Sequence, residues 1–193
     1  MKIHDDYFVL EGDKSRALVI LIGMDGTLFE HENRYLKIAE KANSLYSLSA
    51  FAFRNPASNW EIKGNGFSTI MNTVRKNMDE NCEIYFFGFS AGASFAIFNA
   101  WEYPAIKRLL LVNPPLMSNF QKISNIKRFE GESTLIIGEH DQSITLGGII
   151  ERSKKTSGFS DVFIYPSADH QFTGLLDEFI DLPFTHLFGE KIN

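Results

Sequence analysis

A chain of 193 residues, 44% hydrophobic and 22% charged, is long enough to bury a core of its own and is read as one domain spanning residues 1–193. Its formal charge of -5 comes without a Lys/Arg cluster, which excludes the electrostatic footprint that a nucleic acid or an anionic membrane surface demands. The single cysteine, Cys82, excludes an internal disulfide and has no partners at zinc-like spacing, no apolar run approaches bilayer length, and the acidic start "MKIHDDYFVLEGDKSR" lacks a signal-peptide core, so a cytoplasmic protein is expected.

In chain order, "YFVLEG" (7–12) reads as an antiparallel edge strand, and "ALVILIG" (17–23) is a continuous apolar run typical of a strand buried on both faces. A helical period follows over 29–46, then a strand over "YSLSAFAFR" (46–54) and a helix over 67–80. "EIYFFGF" (83–89), "IKRLLLVN" (106–113), "STLIIGEHD" (133–141) and "FSDVFIYPSADH" (159–170) read as further strands, with helices expected over 91–104, 145–158 and 173–188. Alternation of this kind predicts an α/β protein, a three-layer α/β/α sandwich with helices on both faces of a mostly parallel sheet. Ligand sites in such sheets lie beyond the carboxyl ends of the strands, so residues of catalytic type are sought there.

Gly88-Phe89-Ser90-Ala91-Gly92 places one hydroxyl between two glycines, directly after a strand and before a helix. In a G-x-S-x-G turn the serine is strained upward to the top of the sheet, and the helix that follows aims its unsatisfied N–H groups at the site of a tetrahedral oxyanion. Ser90 as an ordinary helix cap is the alternative. A serine needs a base, and of five histidines only His170 follows the last strand in a loop at the same edge. His4, His31 and His186 suit surface or packing positions, and His140 adjoins the acid candidates. Asp141, ending its strand, is the preferred acid to orient His170, with Glu139 and Asp169 as rivals.

The order Ser90, Asp141, His170, each after its own strand, resembles the α/β-hydrolase superfamily, and the resemblance runs from about Ala17 to about Phe179. It implies the α/β-hydrolase fold with little or no cap, because the interval 113–134 has room only for a loop and a short helix. It also implies that "LVILIGMDGTLFE" is the oxyanion loop, with the backbone N–H groups of Met24 and Ala91 as donors, although Ile22 stands where such loops usually carry histidine. Asp25, Trp60, Phe89 and Phe172 are the candidate substrate contacts, a tight turn being the alternative for Asp25 and core packing for the aromatic residues. The expected function is hydrolysis of a carboxylic ester or thioester, carried on a small molecule or a carrier, without metal or other cofactor. An acyltransferase using the same triad and a non-catalytic binding protein are the alternatives.

Overall fold

The computed structural model describes residues 1–55, 65–115, 124–142 and 158–188. Trp60 and residues 145–157 of the helix expected over 145–158 lie outside these residues. The apolar runs form strands β3 (Asp13–Leu21), β4 (Leu48–Phe53), β5 (Glu83–Phe89), β6 (Ile106–Val112), β7 (Glu132–Gly138) and β8 (Asp161–Tyr165). Two shorter strands precede them, β1 (Lys2–Ile3) and β2 (Tyr7–Leu10). The sheet order is β1-β2-β4-β3-β5-β6-β7-β8, with all pairs parallel except β1/β2 and β2/β4. The "YFVLEG" strand is antiparallel as expected but is not the edge. That place belongs to β1, whose two residues pair Lys2 with Val9 and Ile3 with Phe8.

The central strands alternate between two cores. In β3, Ala17, Val19 and Leu21 enter one core and Leu18 and Ile20 the other. The β5 side chains sort likewise, Ile84 and Phe86 to the first face and Tyr85, Phe87 and Phe89 to the second. Period-2 sorting in a strand with both faces covered is why these stretches read as continuous apolar runs.

Helices α2 (Asn65–Asn77) and α3 (Ala91–Asn99) cover the first face. In α2 the residues Phe67, Ile70, Met71 and Val74 form one stripe against Phe86 and Phe95. Helices α1 (Glu30–Tyr46) and α4 (Leu176–Leu182) cover the second, α1 through Tyr35, Ile38, Ala39 and Ala42 at i, i+3, i+4 and i+7. His31, Glu32 and Asn33 have φ of 46, 56 and 60°, so the regular turns of α1 begin only at Arg34. Beyond α4 the helical path widens to a π turn over Pro183–Phe188. The interval between β6 and β7 contains a 3₁₀ turn, Ser124–Arg128. Among the described residues no helix is long and apolar enough to cross a membrane.

Phe86 is fully buried in the first core, its ring centroid 5.5 Å from that of Phe67. Phe86→Ala is expected to lower the unfolding free energy in urea by about 3–5 kcal/mol, the usual cost of removing a buried aromatic ring.

Candidate active site

Ser90 joins β5 to α3 with φ 52° and ψ -123°, a conformation that a non-glycine residue adopts only when its surroundings enforce it. The flanking glycines supply the enforcement. A Cβ on Gly88 would come within 2.7 Å of Ala93 Cα, and one on Gly92 within 2.2 Å of the Leu21 carbonyl oxygen. Strand, turn and helix therefore close around Ser90 with no room for a methyl group. The serine N–H donates to the Val112 carbonyl at 2.8 Å, tying the turn to β6.

Ser90 Oγ lies 2.9 Å from His170 Nε2, and His170 Nδ1 lies 2.9 Å from Asp141 Oδ2. The Asp141 side chain is fully buried and that of His170 is 27% exposed. An ionised Asp141 accepts a hydrogen bond, so Nδ1 carries the proton and Nε2 is left with a lone pair facing the serine hydroxyl. Ser90, Asp141 and His170, three strand-end residues far apart in sequence, are thus brought into one hydrogen-bonded line.

The turn bearing Asp141 is built on the last loop. Glu139 N–H donates to the Tyr165 carbonyl and His140 N–H to that of Ala168, while Asp141 N–H closes back on Gly138. Gly138 is required by closeness, since a Cβ there would stand 2.5 Å from the Ala168 carbonyl oxygen. Glu139, exposed, accepts the Ser167 N–H at 2.9 Å instead of facing His170. Asp169 Oδ1 accepts the N–H groups of Thr173 and Gln171, and the Thr173 bond above all holds its carboxyl below the usual aspartate range. Both rivals shape the loops around the triad.

The other histidines stand elsewhere. His4 stacks on Tyr7 with ring centroids 4.2 Å apart, His31 lies 3.9 Å from the Glu30 carboxylate, and His140 is exposed. His186 packs on Phe163 in the π turn, where burial pulls its basicity below the ordinary histidine value.

Gly23 approaches Ser90 so closely that a Cβ would lie 3.3 Å from the serine Cβ, which brings the chain at Met24 alongside Ser90. Ala91 opens α3, where the first N–H groups have no intrahelical partner. Asp25 has φ 58° and is exposed on a hollow of about 640 Å³ that it shares with Gly26, Arg54, Tyr7 and Thr69. Phe89 and Phe172 are 2% and 3% exposed and belong to the core. The Phe89 ring backs the His170 imidazole at 5.6 Å, and both phenylalanines pack on Phe179. Phe67, on the first face, is fully buried as well.

Two buried polar residues beside the site went unread in the sequence, Asn113 at 0% and Arg34 at 1% exposure. Their signals were slight: a polar residue closing an apolar run, and an arginine four positions before Ile38 on the apolar stripe of α1.

No family model matches this sequence, and no curated protein matches it. Solved structures do match. An α/β serine hydrolase homologue from Coxiella burnetii superposes with a TM-score of 0.72 at 17% identity, covering 94% of this chain and 97% of that one. Est1E from Butyrivibrio proteoclasticus, in a structure with ferulic acid bound, gives 0.73 at 13% identity, covering 96% of each chain. Dienelactone hydrolase from Anabaena variabilis gives 0.67 at 16% identity, covering 91% of this chain and 87% of that one. Strand order, helices on both faces and likenesses over nine-tenths of the chain agree: this chain has the α/β-hydrolase fold.

Proposed function

We propose that the protein is a serine hydrolase that cleaves a carboxylic ester or thioester, on a small molecule or a carrier, through an acyl-enzyme. The observation that carries this reading is the line from Ser90 Oγ through His170 to Asp141, with both contacts at 2.9 Å and the serine held on a strained turn. The neighbours, a serine hydrolase homologue and a dienelactone hydrolase among them, support the same class.

In the first half-reaction the Ser90 oxygen attacks the acyl carbon as His170 Nε2 takes the hydroxyl proton. Negative charge moves to the carbonyl oxygen, and the backbone N–H groups of Met24 and Ala91 are the proposed donors to it. Collapse of the tetrahedral intermediate breaks the bond to the leaving alcohol or thiol, which receives the proton from His170. In the second half-reaction water attacks the acyl-serine, again giving its proton to His170, and collapse frees the acid and restores Ser90. Throughout, the buried Asp141 carboxylate keeps the Nδ1 proton in place and faces the imidazolium when it forms.

Incubation with a fluorophosphonate probe and with p-nitrophenyl esters of rising chain length tests the reading. The parent protein is expected to be labelled and to hydrolyse the short esters, and Ser90→Ala to do neither while keeping its circular dichroism. Turnover in Ser90→Ala equal to the parent would remove Ser90 as nucleophile.

The carboxylates separate as sharply. Asp141→Asn is expected to lower kcat by up to about 10⁴-fold, because the amide would hold the histidine in the wrong tautomer. Glu139→Gln, which alters only a contact to the Ser167 N–H, is expected to stay within about tenfold of the parent. The reverse ranking would make Glu139 the acid.

A further inference from the structure

Three consecutive backbone carbonyls in the loop that carries the base are held by buried side chains from two different layers of the fold. Asn113 Nδ2 donates to the Asp169 carbonyl at 3.2 Å and the His170 carbonyl at 3.0 Å. Arg34 Nη1 donates to the next carbonyl, that of Gln171, at 2.9 Å, and its Nη2 reaches the Gln171 side-chain oxygen at 3.2 Å. Asn113 comes from the end of β6, and Arg34 from the helix that covers the second face.

Neither residue is explained by packing alone. Asn113 has φ 47°, a region where asparagine is tolerated and where a plain turn would take glycine more cheaply. Both polar atoms of its side chain are engaged, since Oδ1 accepts the Gly138 N–H at 2.7 Å, and its backbone N–H donates to the Ile136 carbonyl at 2.9 Å. One side chain therefore links the root of the Asp141 turn, at Gly138, to the loop of His170. Arg34 is a cation buried among aromatic rings, its guanidinium carbon 4.3 Å from the Phe179 centroid and 4.7 Å from that of Phe89. Its nearest carboxylate oxygen, Glu30 Oε1, is 3.7 Å away, and its Nε has no partner among the described residues. A charge so placed is costly to desolvate, a cost that an aliphatic side chain of similar length would not incur. Two bonds to Gln171 and one to the Tyr35 hydroxyl are what the guanidinium adds.

We propose that Asn113 and Arg34 are positioning residues for the serine-hydrolase reaction read above, clamping carbonyls 169–171 from opposite sides so that His170 meets Ser90 and Asp141 together. Among the described residues the imidazole meets Ser90 and Asp141, and it has only its own side-chain torsions to adjust to both. Once Asp141 and Ser90 are fixed by their turns, the remaining freedom lies in the backbone at 170. A displacement of about 1 Å at that backbone is enough to cost roughly 100-fold in rate.

The test compares Asn113→Ala, Arg34→Met and Arg34→Lys with the parent in three measurements: p-nitrophenyl acetate kinetics, thermal melting, and amide hydrogen exchange. Asn113→Ala and Arg34→Met are each expected to lower kcat about 10- to 100-fold with KM within about twofold. Exchange over 168–173 is expected to quicken in both, while the β5 and β6 amides stay protected. Arg34→Met is expected to melt within a few degrees of the parent, because relief of the buried charge offsets the loss of the bonds to Gln171 and Tyr35, so activity and stability part company. Arg34→Lys, which retains a donor for the Gln171 carbonyl, is expected to recover most of the lost kcat. Unchanged exchange over 168–173 in the variants would overturn the clamp, as would kcat losses that appear only alongside lowered melting. Should Asn113→Ala fail to fold, Asn113→Asp keeps the acceptor for Gly138 and removes the donors, and the Arg34 arm decides independently. A parent protein that is well folded yet inert to every ester and to the fluorophosphonate would dismiss the hydrolase reading, while the exchange measurement would still decide whether the loop is clamped.

Discussion

The backbone of Ser90 is the constraint on which the site depends. Its φ of 52° with ψ of -123° costs of order 1–3 kcal/mol, and the surroundings must over-determine it. They do so by closeness: Gly88 lies against Ala93, and Gly92 against the carbonyls of Leu21 and Ile22. The same contacts that force the strain also fix where α3 begins and where β3 ends. Nucleophile, helix terminus and the turn through Gly23 are then parts of one packing arrangement rather than separately placed groups. The bond from Ser90 N–H to the Val112 carbonyl ties the turn to the end of β6, next to Asn113.

Three carboxylates cluster at this edge of the sheet, and burial sorts them. Glu139 and Asp169 keep access to solvent and accept backbone N–H groups, work that an exposed carboxylate does at little cost. For Asp169 the carboxyl is held below its ordinary range in the folded state. The stability it lends the loop is therefore complete above that range and is lost as the pH falls through the lowered folded value. Asp141 differs, since its side chain has no exposed surface and its charge must be met from within. Among the described residues, His170 is placed to meet it. The buried acid thus ties its own tolerability to the presence of the base, and the pair is costly to break from either side.

Much of this was legible in the sequence because the signals were local. A strand covered on both faces must be apolar throughout, so β3, β5, β6 and β7 stood out as runs, and the polar residues just past them were few enough to weigh one by one. What escaped was set by tertiary contact. The pairing of β1 with β2 involves two residues without an apolar pattern. The left-handed start of α1 at His31, Glu32 and Asn33 has no glycine to announce it. The burial of Phe89 and Phe172 follows from the Phe179 ring of α4 that packs against both, and their strand-end positions suggest a cleft instead. Arg34 and Asn113 carry the types most common on surfaces, so nothing in their neighbours along the chain marks them as buried.

Backbone accounting gives the reason for a polar clamp at this place. A loop that turns back over the end of a sheet carries carbonyl groups into a region where the ladder no longer supplies N–H partners. Each carbonyl left unpaired there would cost about 1–3 kcal/mol, so some donor is obligatory whatever the site does. Donors on the same loop would satisfy the carbonyls but would move with them. Asn113 stands on the sheet and Arg34 on the covering helix, so the loop is referenced to both layers, and sliding it toward either lengthens bonds to the other. Satisfying the backbone and locating the base are in this arrangement the same set of contacts, and the exposed surface of the loop is left free for substrate to approach.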